Sequence, residues 1–222
     1  MRSLAQPEVL RSAAIAACIS ALLSLPRLLL WTTRKFPIWY LEAVLLLGGT
    51  VLWAFVFAWH TKYTQRPVLT RKVEGLPFIL ATGAGLLLST LMHFFFDPHM
   101  RARTPEEYPS NFAQWFAMLS FSLAFTQLFL IFAPFAWLIR LVHQPKVATV
   151  MTALFGMVVL WLKNQGAKEP LSTTLLLSVL AARGLASLFS VYLFLRGGVL
   201  LVWWWEFLIQ SRHLLDLHQP QS

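Results

Sequence analysis

The chain has 222 residues, of which 58% are apolar and only 12% charged, where soluble domains run at roughly half and a quarter. That balance excludes a water-soluble globule, which needs polar surface to cover its core, and suits a bilayer, which offers hydrocarbon to the outer face of a protein. The 18 Lys and Arg outnumber the 9 Asp and Glu to give a net charge of +9, but the bases fall mostly between apolar runs. They read as topology signals and contacts with anionic headgroups, so no nucleic-acid partner is expected.

A hydrocarbon core about 30 Å thick is crossed by about 20 helical residues. The runs that qualify are 12–31, 38–59, 76–96, 113–140, 147–163, 171–195 and 198–217. The sequence thus predicts an all-α, polytopic transmembrane helix bundle of six to seven spans, with residues 1–222 forming one integral membrane domain. The run at 12–31 is the open one, because Pro26 and Arg27 interrupt it and leave either a kinked span or an interfacial segment. Arg2 and Arg11 ahead of the apolar stretch 13–25 resemble the start of a signal peptide. No small-x-small site follows and Pro26-Arg27 leads straight into Leu28-Leu29-Leu30-Trp31, so the segment is expected to be retained. The single cysteine, Cys18, lies within this run, which rules out an intramolecular disulfide or a Cys-rich metal site.

The most basic connection holds Lys62, Arg66, Arg71 and Lys72 and is assigned to the cytoplasm, which puts the N-terminus inside and, with seven spans, the C-terminus outside. Thr104-Pro105-Glu106-Glu107 has the N-cap hydroxyl, first-turn proline and following glutamate of a helix start, so Glu106 and Glu107 read as structural. Asn111 with Gln114 repeats the cap pattern before the fourth span, in which Pro134 predicts a kink. Gly48-Gly49, Gly83 and Gly85 suit close helix approach. Trp203-Trp204-Trp205 cannot all face one way and is assigned no chemistry.

Polar groups in hydrocarbon are costly, so those in mid-span should face the bundle interior, and they are the natural candidates for function. In the third span Thr82, Ser89, His93 and Asp97 recur at steps of seven, four and four, on one helical face. In the sixth, Arg183, Ser187 and Ser190 do the same. In the seventh, Glu206 and Gln210 are one turn apart. Arg183 and Glu206 sit thirteen and nine residues from the Arg196-Gly197-Gly198 turn, a difference in depth of about 6 Å that a long Arg side chain closes. An intramembrane Arg183–Glu206 ion pair is therefore predicted. The catalytic candidates are Glu206, Arg183, Gln210 and His93, and no cofactor is expected. No metal site is assigned, although His93, Asp97 and His99 are weak candidates by type and spacing. Pro98 is expected to end the helix after Asp97 and to turn His99 away.

Residues 113–215 resemble, in their succession of segments, the membrane family of CAAX prenyl proteases and bacteriocin-processing enzymes, the CPBP family. Ala124-Phe125-Thr126-Gln127-Leu128-Phe129-Leu130-Ile131-Phe132 looks like the stretch that carries two glutamates, three residues and an arginine in active members. Ala153-Leu154-Phe155-Gly156 looks like the start of the next motif, and Tyr192-Leu193-Phe194-Leu195-Arg196-Gly197-Gly198 like the turn before the last. The catalytic positions depart from the family. The two glutamates are Thr126 and Gln127, the arginine is Ile131, the first histidine is Val159, and Glu206 and Gln210 stand for the final histidine and its partner. In the family a glutamate is thought to activate the hydrolytic water, and Gln127 cannot carry the negative charge a general base needs. The resemblance therefore implies a family-like scaffold without its chemistry, a pseudo-enzyme or an accessory subunit whose partners are the bilayer and other membrane proteins. The alternatives are an intramembrane hydrolase or protease centred on Glu206 and a small transporter. Short loops and a basic, compact architecture suit a bacterial inner membrane.

Overall fold

The computed structural model describes residues 4–30, 35–70, 73–105, 108–167 and 170–217. Arg2, Trp31, Arg71, Lys72, Glu106 and Glu107, which carry expectations above, lie outside the described residues.

Six helices are long and apolar enough to cross a membrane: α1 (Pro7–Leu30), α2 (Ile38–Thr64), α3 (Gly75–Arg101), α4 (Phe112–Val142), α5 (Pro145–Gln165) and α6 (Thr173–Asp216). In the open run the helix is unbroken, since α1 passes through Pro26. Its buried residues Ala13, Ala17, Ala21, Ser24 and Leu28 recur every three or four positions. Small side chains at that spacing let two backbones approach, and they do so against α2, where Trp53 Nε1 donates to Ser20 Oγ at 3.0 Å.

The predicted spans at 171–195 and 198–217 are one helical stretch by hydrogen bonding, but the stretch reverses direction at Gly198, whose φ of 67° and ψ of −162° are not helical. Phe189 and Trp205 prove the reversal. On a straight helix sixteen residues span about 24 Å, yet the ring centroids of these two lie 4.8 Å apart. Residues 173–197 and 199–216 are thus two antiparallel arms, here α6a and α6b, and the bundle has seven rods. Gly198 also lies against the 65–70 loop, where Val199 N donates to the Val68 carbonyl at 3.0 Å.

The contacts between loops sort the rod ends onto two rims. One rim joins the α2–α3 loop, the α4–α5 turn and the Gly198 turn, with Tyr63 and His143 rings 5.1 Å apart and Arg66 donating to the Leu195 carbonyl. The other joins the α3–α4 loop, the α5–α6 loop and the chain's last turns, with Arg103 donating to the Pro170 carbonyl at 2.8 Å and Arg101 paired with Asp216. Toward the first rim the interior is packed solid with Phe132, Phe135, Phe194, Ile131, Ile139 and Leu193, none above 1% exposed.

Two local expectations change, at Pro98 and at the glycines. Pro98 does not end the third helix, which continues to Arg101, while Pro134 sits inside α4, within the span expected to hold it. Each follows a π turn, Met92–Phe96 before Pro98 and Leu128–Phe132 before Pro134. A wider i→i+5 turn makes room for a ring whose missing N–H would otherwise break the ladder. The Thr104 hydroxyl donates back to the Met100 carbonyl at 3.1 Å, and the N–H groups it was expected to cap, on Glu106 and Glu107, lie outside the described residues. The Asn111 cap forms as expected, accepting from Gln114 N at 3.0 Å, while Gln114 Oε1 accepts from Ser110 N at 2.9 Å. Of the four glycines, only Gly49 and Gly85 meet a neighbouring helix, at Ala17 and at Leu208; Gly48 and Gly83 face open space.

Candidate functional site

The polar stripe of α3 faces α6b, as its spacing requires. Trp204 Nε1 donates to Thr82 Oγ1 at 2.9 Å, Gly85 lies against Leu208 and Trp205, and Asp97 accepts from Arg212 Nε at 2.9 Å. Beside this contact, α4, α6a and the second rim enclose a cavity of about 460 Å³. It reaches from Thr104 and Tyr108 at the rim to Arg183, Ser190 and Glu206 within the bundle, where the aromatic packing closes it.

At the inner end Glu206, 8% exposed, accepts three hydrogen bonds: from Ser122 Oγ at 2.6 Å, Gln127 Nε2 at 2.7 Å and Gln210 Nε2 at 2.8 Å. Gln210 comes from the same helix one turn on. Ser122 and Gln127 are five residues apart, which on a regular α-helix places them about 140° apart around the axis. The π turn Ser122–Thr126 between them carries both onto the Glu206 side.

Arg183 lines the same cavity, but the predicted ion pair does not form, and this corrects the expectation. The depths are right and the directions are not. Glu206 points to α4, whereas Arg183 lies against Gly156 of α5, where an added Cβ would meet Arg183 Nε at 3.4 Å and Ser187 Oγ at 3.1 Å. The guanidinium makes no hydrogen bond to any described residue. Its Nη2, with Ser187 Oγ and Gln127 Oε1, is buried and unpartnered.

The outer end is an ionic network. Asp97, 3% exposed, accepts from Arg212 and from the Tyr108 hydroxyl at 3.0 Å. Burial first and the Asp97 carboxylate second push the Tyr108 phenol well above its usual value. Arg101 pairs with Asp216 and its guanidinium lies 5.0 Å from the Tyr108 ring. His93 Nδ1 is 3.8 Å from Asp216 Oδ1. Ligand atoms of His93, Asp97 and Asp216 lie within 4.8 Å of one another, so Asp216, not His99, completes the group that spacing suggested. Both carboxylates are already neutralised by arginines, and a cation entering here would have to displace two guanidinium groups.

Comparison of the chain with protein-family models, with curated proteins and with solved structures finds no match. Of the catalytic candidates read from the sequence, Glu206, Arg183 and Gln210 share the cavity lining, and His93 does not. Sequence reading missed Ser122, Tyr108, Arg212 and Asp216. Ser122 was visible as a polar residue in a long apolar run, but Gln127, which donates to the same carboxylate, lies five positions on, a spacing that α-helical periodicity assigns to another face.

Proposed function

We propose that this multi-spanning membrane protein is non-catalytic, a scaffold similar to the CPBP family or an accessory subunit that packs against other membrane proteins. The observation that carries the reading is the occupation of Glu206. Thr126, Gln127, Glu206 and Gln210, the residues at four of the family's motif positions, line one cavity, which supports the resemblance. Yet both oxygens of the only carboxylate among them are taken by three side-chain donors. A general base must instead reach a water or a substrate proton. Ile131 and Val159, at the remaining motif positions, are absent from the lining and offer no polar atom.

The purified protein, offered peptide substrates in detergent or in vesicles, is expected to cleave none. Proteolysis that disappears on Glu206→Gln would overturn the proposal and establish a Glu206-centred hydrolase, the second reading, which the cavity itself favours. A transporter is less well supported, because the cavity stops at the aromatic packing. Affinity purification in mild detergent is expected to bring down a membrane partner in fixed ratio. By the positive-inside rule the rim with Lys62 and Arg66 is cytoplasmic, so the cavity opens on the outer side of what we take to be a bacterial inner membrane.

A further inference from the structure

We propose that the cavity is a binding site for one anionic amphiphile, a long-chain carboxylate or monoalkyl phosphate whose acidic group docks on Arg183. This goes beyond the non-catalytic reading and stands apart from it, since occupancy does not depend on whether any bond is cleaved.

An arginine in the middle of a bilayer is costly and is ordinarily paired or hydrogen-bonded. Arg183 lies about 15 Å along α6a from its first residue, near mid-membrane, and has no hydrogen bond from any described residue. The neighbouring carboxylate does not serve it, because Glu206 is held by Ser122, Gln127 and Gln210. Buried polar atoms in folded proteins find partners, so unpartnered ones that cluster in one place point to a missing species. Here Arg183 Nη2 and Gln127 Oε1 are both orphaned on residues that line the inner end of one cavity, and Ser187 Oγ is orphaned on the next turn of α6a from Arg183. Gly156 leaves the space the guanidinium occupies, which a side chain would take.

Charge and shape then select the ligand. The lining holds the guanidinium groups of Arg27, Arg183 and Arg212 against the carboxylates of Asp97 and Glu206, a surplus of one positive charge. That surplus calls for an anion, and a guanidinium fork suits a carboxylate or phosphate. Beside the polar groups the lining is apolar, with Leu88, Met92 and Phe96 of α3 and Val179, Ala182 and Ala186 of α6a. It runs from the level of Arg183 to the rim, as an alkyl chain would. The volume of about 460 Å³ falls within the roughly 300–1,000 Å³ of sites for single small ligands.

The test is thermal unfolding of the full chain in a neutral maltoside detergent, titrated at mildly alkaline pH with dodecanoate, dodecyl phosphate, dodecanol or dodecyltrimethylammonium. A saturable rise in Tm with either acid, absent with the alcohol and the ammonium, is expected. The acid that saturates at lower concentration assigns the source as a fatty acid or an alkyl phosphate. Arg183→Gln should weaken that binding roughly ten- to a hundredfold, the range for a lost charged hydrogen bond. Glu206→Gln, which removes the charge that repels an anion, should tighten it severalfold. Should Arg183→Gln fail to fold, Arg183→Lys, which keeps a cation but loses the fork, takes its place with the same direction of change, and the four-probe comparison on the unaltered protein decides independently. Equal stabilisation by acid and alcohol, no saturable effect of either acid, or unchanged affinity in both Arg183 variants would overturn the proposal and leave the cavity to water.

Discussion

Replacing Gly198 by alanine tests the reversal of α6, because the two possible shapes of this segment predict opposite signs. In a straight helix, alanine for glycine stabilises, by up to about 1 kcal/mol in water. At the observed φ of 67° and ψ of −162° an L-residue lies in a region that is essentially glycine's own, at a cost of about 1–3 kcal/mol. The new Cβ would in addition sit 2.4 Å from the Val68 carbonyl oxygen and 3.3 Å from Thr70 N. These are backbone atoms that cannot swing aside, and Val68 O holds the hydrogen bond from Val199 N. Its loss adds about 0.5–1.5 kcal/mol, for a total of roughly 2–4 kcal/mol. Gly48→Ala, with nothing within 4 Å of its added Cβ, is the internal control and should be neutral to slightly stabilising. The assay is reversible unfolding in mixed micelles as the denaturing detergent fraction rises, followed by circular dichroism. Gly198→Ala at or above wild-type stability would refute the hairpin.

Glu206→Ala should destabilise by roughly 2–4 kcal/mol in the same assay, because Ser122, Gln127 and Gln210 lose their shared acceptor in a buried site. Glu206→Gln should cost less, since the Gln127 amide can turn its unpartnered Oε1 toward the new donor. Asp97→Ala or Arg212→Ala alone should cost about 3–5 kcal/mol, as each strands a buried charge, and the double variant should cost less than the sum; strict additivity in the cycle would show that the pair does not interact. Burial and the Asp97 carboxylate both oppose the Tyr108 phenolate. Ultraviolet titration should therefore show a phenol that stays protonated well past the ordinary tyrosine value of about 10, and Tyr108→Phe should remove that late step. Because this folded-state value is raised, the stability it contributes is complete below about pH 10 and lost as pH rises toward the folded value. With cysteine at Gln65 or Arg196, an impermeant thiol reagent should label both from one side of the membrane, and Ser172→Cys from the other; labelling of Arg196→Cys with Ser172→Cys would contradict seven rods.

The sequence alone determined the membrane and the rods, because a bilayer imposes on each crossing a length and an apolarity that composition reports directly. Even the doubtful first run was resolvable in hindsight from its small residues at Ala13, Ala17 and Ala21. The turn at Gly197-Gly198 was legible too, and with it the depths of Arg183 and Glu206. What only the tertiary structure decided is where those side chains point. Ser122 and Gln127 converge on Glu206 through a π turn that leaves no mark in α-helical periodicity. Pro98 passes inside a helix for the same reason. Asp216 and Arg212 join Asp97 from 115 positions or more away in the sequence, a distance over which no local pattern speaks. Depth along a helix follows from counting residues; azimuth in a bundle with π turns follows from packing, and azimuth is what leaves Arg183 beside Glu206 without a hydrogen bond between them.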